Sequence, residues 1–203
     1  MSPVNSGITF STDATEGNSR RVSVGIDIDG PFTQPILKLH FPRWVPGSYF
    51  LREPIQHMTE FVAIDDAGVE LNSFRYEVDA MKIKVPQNTK SVSITYKLLA
   101  TELSCRSNHL DSSHIHIMPP FTWFLPTSGI NLERMNQKHS ISLHTPSSWS
   151  AATQYKLENS TSCKGVLTGN DGTTYLFSAP NRDELLDGII EANENENICW
   201  KVD

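Results

Sequence analysis

His109, Asp111, His114 and His116 are the densest group of chemistry-bearing side chains in the sequence. On a strand, His114 and His116 point to one face while Ile115 and Ile117 point to the other. Two imidazoles so spaced make half of a zinc site, which His109, Asp111, His139 or His144 would have to complete. Spacing fixes the relative direction of only His114 and His116, so the expectation is a solvated polar strand face with no metal. No histidine is followed by glutamate. The helical motif in which two histidines bind zinc and a glutamate activates water is therefore absent. Gly-x-Ser-x-Gly, the phosphate-binding loop, Gly-x-Gly-x-x-Gly and Cys-x-x-Cys are absent too. Cys105, Cys163 and Cys199 are widely separated, and their spacing assigns none of them a histidine partner for nucleophilic catalysis. Asp27/Asp29 and Asp65/Asp66 fall in strand and turn contexts. No catalytic residue is expected in this chain.

Two rigid aromatic segments stand out. Phe41–Arg52 holds two prolines and a glycine that turn the chain. Trp44, Tyr49 and Phe50 give the segment apolar surface with polar tips, and Arg43 and Arg52 can anchor carboxylates or carbonyls. Met118–Pro126, containing Trp123, is a second segment of this kind. Each reads first as a packed corner and second as a surface for a partner domain or peptide.

Alternating strands are the elements that must position these groups. Val22, Val24, Ile26 and Ile28 share one face, as do Val92, Ile94, Tyr96 and Leu98. Leu37 to Phe41 and Met81 to Val85 repeat the pattern. Met58–Ile64 is expected to pair with Val69–Tyr76 across a turn at 65–68. Ser113–Met118, Ser140–His144 and Thr173–Ser178 complete at least eight strands. The fold class is all-β, with antiparallel sheets in a sandwich or saddle-like curve and one short C-terminal helix. Asn181 caps that helix, with Glu184 at N3. Leu185, Leu186, Ile189 and Ile190 form its stripe, and Gly188 weakens it by about 1 kcal/mol relative to alanine.

The expected organisation is a flexible segment at 1–19, a β domain at 20–180, and a helix with an acidic linker at 181–203. Alternation at Ile198, Trp200 and Val202 hints at further chain. The net charge of −6 resides in the stretch from Asp183 onward, and the rest is neutral. No basic field points to nucleic acid or anionic lipid. No run of about 20 apolar residues predicts a membrane span. No signal sequence is visible, so a cytoplasmic setting is expected, and Asn159-Ser160-Thr161 reads as a polar loop.

The segment Leu39–Arg52 resembles the Pro-x-Trp-x-Pro-Gly-Ser-Tyr-x-x-Arg run of the M61 glycyl aminopeptidase family. The resemblance continues through Gln56–Phe61 and Asp66-Ala67-Gly68. It also takes in Tyr96–Arg106 with Leu110-Asp111, then Thr145–Trp149 and Phe177–Asp187. It covers residues 20–192 in order. Glu53-Pro54, Pro119–Thr122 and Gly188-Ile189 depart from the family pattern, which implies a divergent member.

Members are zinc aminopeptidases with an N-terminal β domain, a thermolysin-like domain and often a PDZ-like domain. The resemblance covers only the first. It implies a non-catalytic domain that supports a peptidase domain of the same polypeptide and forms a wall of its substrate cleft. Peptide substrate would then be met through that domain. No cofactor is expected in this chain, with zinc in the parent's catalytic domain. Trp44, Tyr49, Arg52, Arg106, Asp111 and Trp123 are the cleft or interface candidates, and Asp111 is expected to pair with Arg106. The alternative is a stand-alone protein- or peptide-binding β domain. The least favoured reading is a small metalloenzyme built on His114 and His116.

Overall fold

The computed structural model describes residues 5–45 and 49–194. In chain order the strands begin with β1 (Asn5–Asp13), β2 (Arg21–Asp29), β3 (Ile36–His40), β4 (Met58–Asp65) and β5 (Ser73–Glu77). Next come β6 (Ala80–Lys84), β7 (Ser91–Leu99), β8 (His109–Leu110), β9 (His114–Ile117) and β10 (Leu125–Ser128). The last are β11 (Lys138–Thr145), β12 (Ser150–Thr153), β13 (Lys156–Lys164), β14 (Asp171–Ala179) and β15 (Ile190–Asn193), with helix α1 (Arg182–Asp187) before β15. No helix among the described residues is long and apolar enough to cross a membrane.

The strands form three sheets. A seven-stranded sheet runs β13-β14-β11-β1-β2-β7-β4, and two four-stranded sheets run β10-β3-β6-β5 and β12-β15-β9-β8. Pairing is antiparallel throughout, except that β1 runs parallel to β11. The fold is thus mostly antiparallel β with one short helix, consistent with a sandwich.

Alternation places the core. Val92, Ile94, Tyr96 and Leu98 of β7 and Val22, Val24, Ile26 and Ile28 of β2 are all buried. From the facing side, Phe41 stacks on Phe124 at 3.8 Å, and both rings meet Tyr96 edge-on. Trp123 lies 5.2 Å from Phe10 of β1. Each fully buried Ile, Leu or Phe contributes about 1.5–3 kcal/mol. The Tyr96 hydroxyl donates to Thr122 O at 2.6 Å and accepts from Phe124 N. Burial pushes that phenol far above its usual range.

Several expectations need correction, among them the loop at Asn159-Ser160-Thr161, which lies within β13. Residues 1–19 contain β1, a central strand. Its inward face is carried by Ser6, Ile8, Phe10 and Thr12, and the small polar members hide the apolar pattern. The 65–68 turn forms, with Asp65 Oδ1 accepting from Ala67 N and Val69 N at 2.9 Å. The following strand does not stay beside β4, however. After one bridge at Glu70 the chain crosses over, and β5 pairs with β6 in another sheet. The helix stops at Asp187, with Asn181 Oδ1 accepting from Glu184 N as expected. Ile190, assigned to the helical stripe, instead starts β15, and this strand replaces the first part of the acidic linker. The Ile198–Val202 alternation, Cys199 and the end of the linker lie outside the described residues.

Candidate functional site

A pocket of about 180 Å³ opens where the end of β7 meets two irregular segments. Arg52, Glu53 and His57 line one side, and Glu102, Arg106 and Asn108 the other, with Phe121 contributing an apolar wall. The first segment is held by Arg52 N donating to Arg43 O at 2.8 Å, and by Arg43 Nη2 3.4 Å from Glu53 Oε1. It then enters a single 3-10 turn, Pro54–His57, anchored by buried Pro54 and Ile55. A proline at the start suits such a turn, because its missing N–H would have no partner there.

Asn108 fixes the far wall. Its Nδ2 donates to Phe121 O at 3.1 Å, while Oδ1 accepts from Met118 N at 2.8 Å and Thr122 Oγ1 at 2.9 Å. These bonds reach 10 to 14 residues along the chain, so no local sequence signal announces them. Asn108 therefore carries no local signal, and His57 and Glu102 join the pocket only because the fold brings the 54–57 turn to the end of β7. Two guanidinium groups at one mouth can hold a carboxylate, and Glu53 and Glu102 leave the pocket mixed in charge.

The sequence-predicted residues divide. Arg52 and Arg106 both line the pocket. Tyr49 is 95% exposed on the segment leading into it, beside exposed Phe50 and Leu51, and Trp44 is more than half exposed. Leu103, adjoining Glu102, is 75% exposed. Trp123 is not at the surface at all, since it is wholly buried in the core. The expected Arg106–Asp111 pair does not form. Asp111 Oδ1 instead accepts from Ser113 N, Ser113 Oγ and His114 N at 2.7–3.0 Å, and Oδ2 lies 3.1 Å from His109 Nε2. A carboxylate two residues before an amide caps its own turn more readily than it reaches a distant arginine.

The histidines gather on one face of the sheet β12-β15-β9-β8. His109 is opposite His116 across β8–β9, and Glu191 is opposite His116 across β15–β9. His109 and His114 stack with centroids 4.7 Å apart, and His114 Nδ1 lies 3.4 Å from Asp111 Oδ1. His116 Nδ1 engages Glu191 Oε1. The Ser113 hydroxyl, the Ser113 and His114 amides and the His109 ring hold the Asp111 carboxyl well below the usual carboxylate range. His139 and His144 sit elsewhere, on β11. His139 bonds Ser6 Oγ and Met135 O, and His144 bonds Thr174 Oγ1 and Asn170 O. Burial pushes the His139 pKa down. A second group, His40, Glu77 and Asp79, lies near Tyr76, whose hydroxyl meets His40 Nε2. Neither group presents two histidines one helical turn apart around a glutamate, so these residues do not fit a peptidase zinc centre of that kind.

Residues 9–193 match the family model described as the peptidase M61 N-terminal domain. No curated protein matches the chain. Among solved structures, an aminopeptidase N family protein from Idiomarina loihiensis superposes with a TM-score of 0.75 at 20% identity, covering 92% of this chain and 29% of that one. An M1 zinc metallopeptidase from Deinococcus radiodurans superposes with a TM-score of 0.52 at 10% identity, covering 92% of this chain and 40% of that one. At these identities the likeness is one of fold, and this chain spans less than half the length of either protein.

Proposed function

This chain belongs to the peptidase M61 N-terminal domain family, and from that membership we propose that it is the non-catalytic β domain of a zinc-dependent aminopeptidase. It supports a peptidase domain of the same polypeptide and supplies a wall of the substrate cleft. The zinc belongs to that peptidase domain. The exposed thiols of Cys105 and Cys163 suit a reducing, cytoplasmic setting.

The observation that carries this reading is the surface around the two-arginine pocket. Tyr49, Phe50, Leu51 and Leu103 all expose apolar groups on the two segments that run into it. Large apolar groups concentrated on such segments mark a docking surface. Burying one leucine against a partner is worth about 1.5–3 kcal/mol. Arg52 and Arg106 then stand beside the interface, where either guanidinium can steady the carboxylate end of a peptide.

The experiment combines this chain with the separately expressed peptidase portion of its own polypeptide. The expected results are no aminopeptidase turnover by this chain alone and a one-to-one complex with the peptidase portion. Turnover by this chain alone contradicts the reading, and so does a stable monomer that ignores the peptidase portion. The latter outcome favours a stand-alone binding domain.

A further inference from the structure

We propose that His109, Asp111 and His114 form a three-ligand site for a divalent transition ion of the zinc class, at the turn that joins β8 to β9. Two imidazole nitrogens and one carboxylate oxygen are a donor set suited to zinc and its first-row neighbours. Their ligating atoms all lie within 4.8 Å of one another. Asp111 Oδ2 is 3.1 Å from His109 Nε2, and Asp111 Oδ1 is 3.4 Å from His114 Nδ1. An ion with bonds of about 2.0–2.1 Å in a tetrahedral shell sets neighbouring donors about 3.4 Å apart. His109 Nε2 and Asp111 Oδ2 therefore already stand at ligand spacing, whereas the 3.4 Å contact of His114 is to the other oxygen, Oδ1, so the His114 ring has to close the remaining distance within the 4.8 Å cluster.

The surroundings hold His109 and Asp111 there. Asp111 is fixed by three hydrogen bonds to its Oδ1, all from Ser113 and His114, which leaves Oδ2 directed at His109. The side chain of His109 is 95% buried, and the partly exposed His114 ring, now stacked on it, is the one that turns to bring its nitrogen onto the ion. From behind, Gly17 approaches so closely that a Cβ there would lie 2.3 Å from Asp111 O. The loop thus rests on a surface with no room to retreat. Asp111 and His114 each keep 28% of their side chain in solvent, enough to admit an ion and leave a fourth position for water. That is the pattern of an open site rather than a sealed structural one.

His116 is excluded by its engagement with Glu191. The ligand partners of His114 are therefore the residues brought round by the hairpin, not its neighbour two positions on. The proposal does not depend on the peptidase reading. This sequence has no His-Glu-x-x-His motif, so an ion taken up by this chain is not held by a peptidase centre of that kind.

The test is uptake of zinc chloride by the metal-stripped, untagged chain, measured by equilibrium dialysis with elemental analysis. Cobalt(II) replaces zinc in a parallel optical titration. The expected result is one equivalent of zinc and cobalt bands of four-coordinate intensity. His114→Gln and Asp111→Asn should weaken uptake about tenfold or more. Asp111→Asn keeps the Oδ1 acceptor that the turn needs, and far-UV circular dichroism verifies that each variant is folded. His40→Asn, in the second cluster, should leave uptake unchanged. Absence of stoichiometric uptake overturns the proposal. Undiminished uptake by folded His114→Gln also overturns it, as does loss of uptake in His40→Asn.

Discussion

Gly188→Ala separates what the sequence implies about the C-terminal helix from what its packing imposes. Read as a helix interior, the position should gain about 1 kcal/mol from alanine. In the fold, Gly188 is the residue that ends α1, with φ −81° and ψ 96°, a conformation open to any L-residue. Space decides the outcome. A Cβ there would lie 2.1 Å from Tyr155 Cε1 and 2.2 Å from Cζ, where carbons normally keep about 3.5–4.0 Å. The ring must retreat by roughly 1.5 Å to restore that spacing. Tyr155 is buried, and its hydroxyl donates to Leu185 O at 2.5 Å. Retreat breaks that bond and strands a buried carbonyl, which costs about 1–3 kcal/mol. Residual overpacking adds about 1–3 kcal/mol, while the stiffer unfolded chain returns about 0.4–1 kcal/mol.

The expected net loss is about 2–4 kcal/mol, combining these terms. For a chain of this size each kcal/mol moves the melting midpoint by about 2–4 °C. Urea unfolding and calorimetry should both register the loss. In a Tyr155→Ala background, the same Gly188→Ala change should cost under about 0.5 kcal/mol, because the two residues couple directly. An unchanged or raised midpoint for Gly188→Ala, or equal losses in the two backgrounds, refutes the reasoning.

Asn108→Ala removes all three hydrogen bonds that staple 118–122 beside the pocket. It should cost about 2–3 kcal/mol by urea denaturation. Glu158 is held down to about 2 by hydrogen bonds from Lys138, Ser178 and Lys156. Its contribution to stability is intact above the unfolded value of 4.5 and drains away as pH falls through about 2. Glu158→Gln should therefore flatten the acid limb of the stability profile between those two pH values, measured by urea midpoints at each pH.

How much the sequence discloses depends on how each strand is buried. β2 and β7 are legible because one face is apolar at every step while the other is mostly polar, broken only by Gly25 and Leu99. β13, Lys-Leu-Glu-Asn-Ser-Thr-Ser-Cys-Lys, is exposed along its whole length, so no apolar face exists to read. β15 is hidden by Glu191 and its acidic flank, since only Ile190 and Ala192 turn inward. Arg52 and Arg106 were readable as candidates because their motifs are local. Their meeting at one pocket depends on β7 carrying residue 99 past the 54–57 turn, which spacing does not encode. The same holds for His109 and Asp111, whose approach to His114 requires a hairpin only two residues deep on the β8 side.

The most direct measurement of the domain's proposed role is calorimetric titration of this chain with the peptidase portion of its own polypeptide. The account predicts a one-to-one complex that Leu103→Asp and Tyr49→Asp each weaken about tenfold or more, the loss of one buried apolar anchor. It also predicts aminopeptidase turnover only where the peptidase portion is present. Association that both substitutions leave unchanged would contradict the account, as would robust turnover by this chain alone.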